Sequence, residues 1–182
     1  MSSAADRTFG ASYLLSHARI ERHPIPAYIR LVPDESLLTD EIRALVGHRT
    51  ELGPATITLR LVQRATEVFY GHPGRDYAQG EEVPGYVISA LDPEIDPPEM
   101  PKLLPQGILI SNEWAFERYP RLGETLVVTS SLANISERFG GQFGYSLDFR
   151  TETEYRATNG DLVATSSTNM MQYDASAARS SE

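Results

Sequence analysis

A chain of 182 residues, 41% hydrophobic and 23% charged, is long enough to bury one full-sized core. The formal net charge of −9 argues against nucleic acid or an anionic membrane as main partner, although a local basic pocket for a phosphorylated ligand stays open. The absence of cysteine rules out a disulfide framework, a thiol nucleophile and a Cys-based metal site, and no apolar run reaches the ~20 residues of a membrane span.

Residues 1–36 read as an arm. His23-Pro24-Ile25-Pro26 and Val32-Pro33-Asp34 interrupt any helix, while Tyr13, Leu14, Leu15, Tyr28 and Ile29 make it too apolar for a plain tail. Such an arm is expected to pack on the domain or on a partner subunit. Met1 to Arg7 is polar and lacks the apolar core of a signal peptide, so a cytoplasmic location is the expectation.

A short helix is predicted from Asp40 to Val46, with Thr39 as N-cap, acidic residues in its first turn and Gly47 as the stop. A brief strand is predicted over Ala55–Thr58. A second helix follows over Leu59–Tyr70, with Leu61, Ala65, Val68 and Phe69 on one face and Gly71 and Pro73 ending it. Gly71–Glu82 reads as a loop. Pro84-Gly85 then opens Tyr86–Leu91, a short apolar segment suited to one buried helical piece. Asp92–Pro105 carries five prolines and must be a connector.

From Gly107 the chain reads as all β, with strands predicted over Ile108–Phe116, Thr125–Ile135, Phe143–Arg156 and Leu162–Tyr173. Asn159-Gly160 is a strong hairpin signal between the last two. In Phe143–Arg156 the residues Phe143, Tyr145, Leu147, Phe149, Thr151, Thr153 and Tyr155 share one face, and mostly charged residues share the other. At about 3.3 Å per residue this strand would span roughly 40 Å. The fold class that follows is α+β: a long curved antiparallel β-sheet wrapped around a central helix, the hot-dog fold. A helix packed on an open sheet is the other arrangement these elements allow. The domain is placed at 37–174, with a polar tail at 175–182.

Several segments resemble the MaoC-like hydratase/dehydratase family, in the type called FAS1-like dehydratase or MaoC N-terminal domain. They are Leu38-Thr39-Asp40-Glu41-Ile42-Arg43-Ala44-Leu45-Val46-Gly47, the strand bearing Asn112-Glu113-Trp114-Ala115-Phe116, the turn Pro120-Arg121-Leu122-Gly123-Glu124-Thr125-Leu126, and the hairpin around Thr158-Asn159-Gly160-Asp161-Leu162. The resemblance covers roughly Leu38 to Tyr173. It implies a hot-dog fold in a homo- or heterodimer with a second hot-dog subunit. It also implies reversible water addition to an α,β-unsaturated thioester, with coenzyme A or acyl carrier protein as part of the substrate and no other cofactor. In active members an Asp and a His before the central helix move the proton, and a backbone N–H near that helix start polarises the thioester carbonyl.

The family's Asp-x-Asn-Pro-x-His-like signature is absent. The corresponding stretch reads Gly71-His72-Pro73-Gly74-Arg75-Asp76-Tyr77, with the His and the Asp in reverse order. Three readings remain open. His72 and Asp76 form a rearranged acid/base pair, or this is the silent half of a heterodimer, or the fold serves another task, such as a thioesterase or cyclase-type tailoring enzyme. In the bland reading His72 caps the helix and Asp76 pairs with Arg75. Tyr77, Pro84, Gly85 and Tyr86 are the candidate substrate-binding residues. Gly85 equally suits a turn that admits the chain into the core. Glu113 is a candidate acid/base if it faces inward, Trp114 a core or interface residue, and Arg138 a possible phosphate contact at a hairpin. His17, His23 and His48 lack metal-ligand spacing, and no nucleophile elbow, P-loop or dinucleotide fingerprint occurs.

Overall fold

The computed structural model describes residues 36–97, 100–140 and 143–176. All but the last residue of the expected arm at 1–36, and most of the expected tail at 175–182, lie outside the described residues. Five strands form one sheet: β1 (Arg49–Thr56), β2 (Gln106–Phe116), β3 (Thr125–Arg138), β4 (Ser146–Ala157) and β5 (Leu162–Tyr173). Their order is β1-β3-β4-β5-β2, and every neighbouring pair is antiparallel. The α+β expectation holds, with the helical pieces packed on one face of a long antiparallel sheet.

The central strand β4 keeps the alternation read from the sequence. Tyr145, Leu147 and Phe149 are buried, while Glu152 on the opposite face is exposed. The strand begins at Ser146 rather than Phe143, because Gly144 turns the chain at a positive φ of 65° just before it. At the other end Asn159 and Gly160 form the tight connection to β5. The Asn159 side chain accepts the Asp161 N–H at 3.1 Å, and Ala157 N–H donates to Asp161 O at 2.8 Å. Register shifts interrupt β1 near Leu52, β2 near Ile110 and β3 near Ala133, and such bulges bend and twist a strand.

The first helix and the first strand also differ in extent. The first helix, α1, covers only Asp40–Arg43, because Gly47 N–H is drawn to Leu132 O of β3 at 2.8 Å and the chain turns onto the sheet. The strand expected at Ala55–Thr58 is the longer β1, starting at Arg49. The added part carries Gly53 and Pro54, two residues that strands disfavour. An edge strand tolerates the proline, and the glycine takes a φ of 92° at the bulge.

The second helix, α2 (Leu59–Tyr70), has the predicted bounds. Thr58 accepts the Leu61 N–H at 3.2 Å as N-cap, and Gly71 closes the helix at φ 77°. Its buried face is Val62, Ala65 and Thr66, whereas Val68 and Phe69, expected on the core face, are 78% and 58% exposed. Thr66 fixes this rotation. Its hydroxyl donates to Val62 O at 2.8 Å and shares a hydrogen bond with the Tyr86 hydroxyl at 2.9 Å. Phe69 and Tyr70 then lie against the Tyr86 ring, with centroids 4.9 and 5.8 Å away.

The segment expected as the central helix is a 3-10 helix of six residues, Gly85–Ala90. At about 2 Å per residue it covers roughly 12 Å, far less than a 12-residue strand of about 40 Å. It therefore covers one end of the inner sheet face. There Val87 and Ile88 pack with Val62, Ala65, Leu126 and Val163. At the other end Tyr145, Leu147, Phe149 and Ile135 form a second cluster, covered by Met100, Leu103 and Leu104 from the connector. The buried Gln172 side chain ties that connector down, accepting the N–H of Leu103 (2.9 Å) and Leu104 (3.1 Å) and donating to Pro101 O (2.9 Å).

Candidate functional site

A cavity of about 460 Å³ opens on the inner sheet face between these two clusters. The strand register explains what lines it. Thr50, Ser130, Thr153, Ser166 and Trp114 stand at one level across all five strands. One step along, Leu132, Thr151, Thr168 and Asn112 form a second level. The inner face thus changes from apolar at both ends to hydroxyl-bearing in the middle. Ser130 and Ser166 are only 5% and 8% exposed, and Thr153 donates to Ser130 at 3.4 Å. Trp114 closes one side, its ring stacked on Tyr155 with centroids 5.6 Å apart. Burial pushes the Tyr155 phenol above its ordinary range, against a hydrogen bond with Ser166, so the phenol stays protonated at neutral pH.

Among its described lining residues the cavity has no Lys, Arg, Asp or Glu, and His48 is its one imidazole. These groups bind and orient, but they do not make a carboxylate/imidazole pair that moves a proton.

His72 and Asp76 lie elsewhere, exposed on the Gly71–Glu82 loop, and neither lines this cavity. His72 Nδ1 accepts the Gly74 N–H at 3.1 Å, and the Asp76 carboxylate accepts from the Gln63 amide at 3.4 Å. No hydrogen bond joins them. Neighbouring residues shape the loop. Arg75 pairs with Glu81 at 2.6 Å and stacks over Tyr77 at 3.9 Å, and Glu81 accepts the Ala78 N–H at 2.9 Å. The Arg75 hydrogen bond holds the Glu81 carboxyl below the usual range. Gly80 N–H to Leu122 O and Leu122 N–H to Glu81 O, both 2.9 Å, fasten the loop to the Pro120–Thr125 turn.

Tyr77 and Tyr86 are partly buried against the first core cluster, and Tyr86 sits between Thr66 and the α2 aromatics. Pro84 caps the 3-10 helix. Gly85 is buried under Phe116, and a β-carbon there would lie 2.8 Å from the Phe116 ring. This close approach supplies a packing reason for the glycine. Glu113 is exposed on the outer face, one residue out of phase with the inward Trp114. Arg138 pairs with Asp148. Among the described residues no group of three or more His, Asp or Glu is assembled in metal-binding geometry.

The hydroxyl belt escaped the sequence reading. Thr151 and Thr153 were visible on the inner face of β4, but only the register shows that they meet Ser130, Ser166 and Thr168. The available signal was the change from Leu147 and Phe149 to Thr151 and Thr153 halfway along one face.

No known protein family profile matches the chain, and no curated protein matches it. Solved structures do. The ChsH1-ChsH2 complex from Mycobacterium tuberculosis superposes with a TM-score of 0.55 at 13% identity, covering 73% of this chain and 87% of that one. The fold is the hot-dog. A MaoC-like dehydratase from Rhodospirillum rubrum (TM-score 0.48, 15% identity, 70% and 92% of the two chains) is also similar. So is the C-terminally truncated HadBC (3R-hydroxyacyl-ACP dehydratase) complex from Mycobacterium tuberculosis (0.49, 12%, 70% and 96%). At 13% identity the likeness to the ChsH1-ChsH2 complex establishes the fold alone and leaves chemistry to the site. The hot-dog sheet here carries a six-residue 3-10 helix as its filling, and the hydroxyl-lined cavity lies beside it.

Proposed function

We propose that this chain is a hot-dog subunit of an acyl-thioester hydratase/dehydratase system and acts together with a second hot-dog subunit. The observation that carries the proposal is the β2 edge. Among the described residues β2 pairs with β5 on one side only and exposes Ile108, Leu109 and Ile110 at 44%, 55% and 56%. An edge with three adjacent large apolar side chains is a template for a further strand. Two of the similar solved structures are complexes of differently named subunits, ChsH1-ChsH2 and HadBC, the latter described as a 3R-hydroxyacyl-ACP dehydratase.

The chemistry of this chain favours the silent half of such a pair. Hydration of an enoyl thioester needs a base for water and an acid for the α-carbon. The described lining of the inner cavity offers no carboxylate, and His72 and Asp76 stand apart on an exposed loop. The partner subunit then supplies both groups. The test is enoyl-CoA hydration by the purified chain, alone and co-expressed with a hot-dog chain from a neighbouring reading frame. We expect the chain alone to be inert and the pair to be active, with His72→Ala and Asp76→Ala changing the paired rate less than twofold. Activity of the chain alone that Asp76→Ala abolishes would establish the rearranged acid/base pair instead.

A further inference from the structure

We propose that the inner-face cavity binds a neutral, flat, oxygen-bearing ring compound, held by the hydroxyl belt and stacked on Trp114. Serine and threonine hydroxyls both donate and accept, so they match a carbonyl or hydroxyl oxygen in either sense. Ser130, Thr153 and Ser166 stand side by side at one level, with Thr151 and Thr168 at the next. A purely hydrocarbon occupant would strip water from these hydroxyls and return nothing, which is unfavourable. An ionic occupant would meet no Lys, Arg, Asp or Glu in the described lining, where the His48 imidazole is the one side chain able to take a positive charge. The indole of Trp114 and the ring of Tyr155, inclined at 27°, make an aromatic wall that favours a flat partner. The volume of about 460 Å³ lies within the range of small-molecule sites, roughly 300–1,000 Å³.

The site exists because the filling is short. The 3-10 helix stops at Ala90, Met100–Leu104 of the connector cover the far end, and the sheet between them carries hydroxyls where its two ends carry Leu, Val and Phe. Binding here does not depend on the thioester reading, because it is measured on this chain alone and involves no turnover.

Isothermal titration of the full-length chain with three probes tests the proposal: 2-naphthol, naphthalene and 2-naphthoate. They share one ring system and differ in a neutral hydroxyl, no oxygen and a carboxylate. We expect 2-naphthol to bind one site at least tenfold more tightly than either of the others. Thr153→Val and Ser166→Ala should each weaken 2-naphthol by about fivefold and leave naphthalene unchanged. Trp114→Leu should weaken both, and thermal melts of each variant report whether the fold survives. The proposal is overturned if naphthalene or 2-naphthoate binds as well as 2-naphthol, if folded Thr153→Val keeps full affinity, or if none of the three binds. None of these results bears on hydration by a paired complex. An inert complex whose subunit still binds 2-naphthol would overturn the hydratase proposal alone.

Discussion

Tyr145 closes the end of the inner face far from the 3-10 helix. Its hydroxyl donates to the Glu137 carboxylate, which also accepts from Ser36 at 2.7 Å, while the Leu37 N–H reaches the phenol oxygen at 3.2 Å. Burial first, and Glu137 second, push the Tyr145 phenol up to about 12. A group whose pKa is raised on folding stabilises below its unfolded value, near 10 for tyrosine, and that contribution disappears as pH rises through the folded value. Urea denaturation against pH should therefore show stability falling between about pH 10 and 12. Tyr145→Phe should remove that decline and cost about 2 kcal/mol at pH 7. At the opposite end of the face, Gly85→Ala places a methyl against Phe116, whose ring is 37% exposed and can give way. The expected loss is about 1 kcal/mol, recovered when Phe116→Leu is combined with it, as a double-mutant cycle in urea would show.

At the level of elements, α2 stands on its caps and on Thr66. Thr58→Ala removes the hydroxyl that accepts the Leu61 N–H and should cost about 1 kcal/mol by thermal melt. The helix end was legible in the sequence because Gly71 is a local signal, whereas Thr58 reads as the end of a strand and is shown as the N-cap only by its hydrogen bond to Leu61. The helix face was not legible, because apolar periodicity ranked Val68 and Phe69 above Thr66, and the partner that draws Thr66 inward, Tyr86, is twenty residues away. The part of β1 from Arg49 to Pro54 was missed for a related reason. Gly53-Pro54 breaks a strand in isolation, but at the sheet edge a bulge absorbs the glycine and an unpaired side tolerates the proline. The Glu81–Arg75 pair likewise gives the loop carrying His72 and Asp76 its own anchorage, so the two candidate residues are displayed separately rather than turned toward each other.

For the whole molecule, the unpaired β2 edge is the feature that predicts assembly. Ile110→Lys places a charge on that edge beside Leu109, which blunts strand addition. Light scattering of the chain co-expressed with its partner subunit should then show a shift from dimer to monomer, while the isolated chain keeps nearly the same thermal midpoint because Ile110 is exposed in it. A variant that remains dimeric would place the interface elsewhere.

The sequence by itself determined the α2 stop at Gly71, the Asn159-Gly160 hairpin and the two-faced β4, because each rests on contacts within a few residues or on a period of two. It also exposed the departure from the family signature at Gly71–Tyr77, since a missing motif needs no coordinates. Only the tertiary structure decided how little of the inner face the Gly85–Ala90 segment covers, and which hydroxyls of β3, β4 and β5 meet there. The physical reason is register: side chains on separate strands become neighbours through long-range hydrogen-bonded pairing, and bulges in β1, β2 and β3 shift that pairing in ways no single strand records.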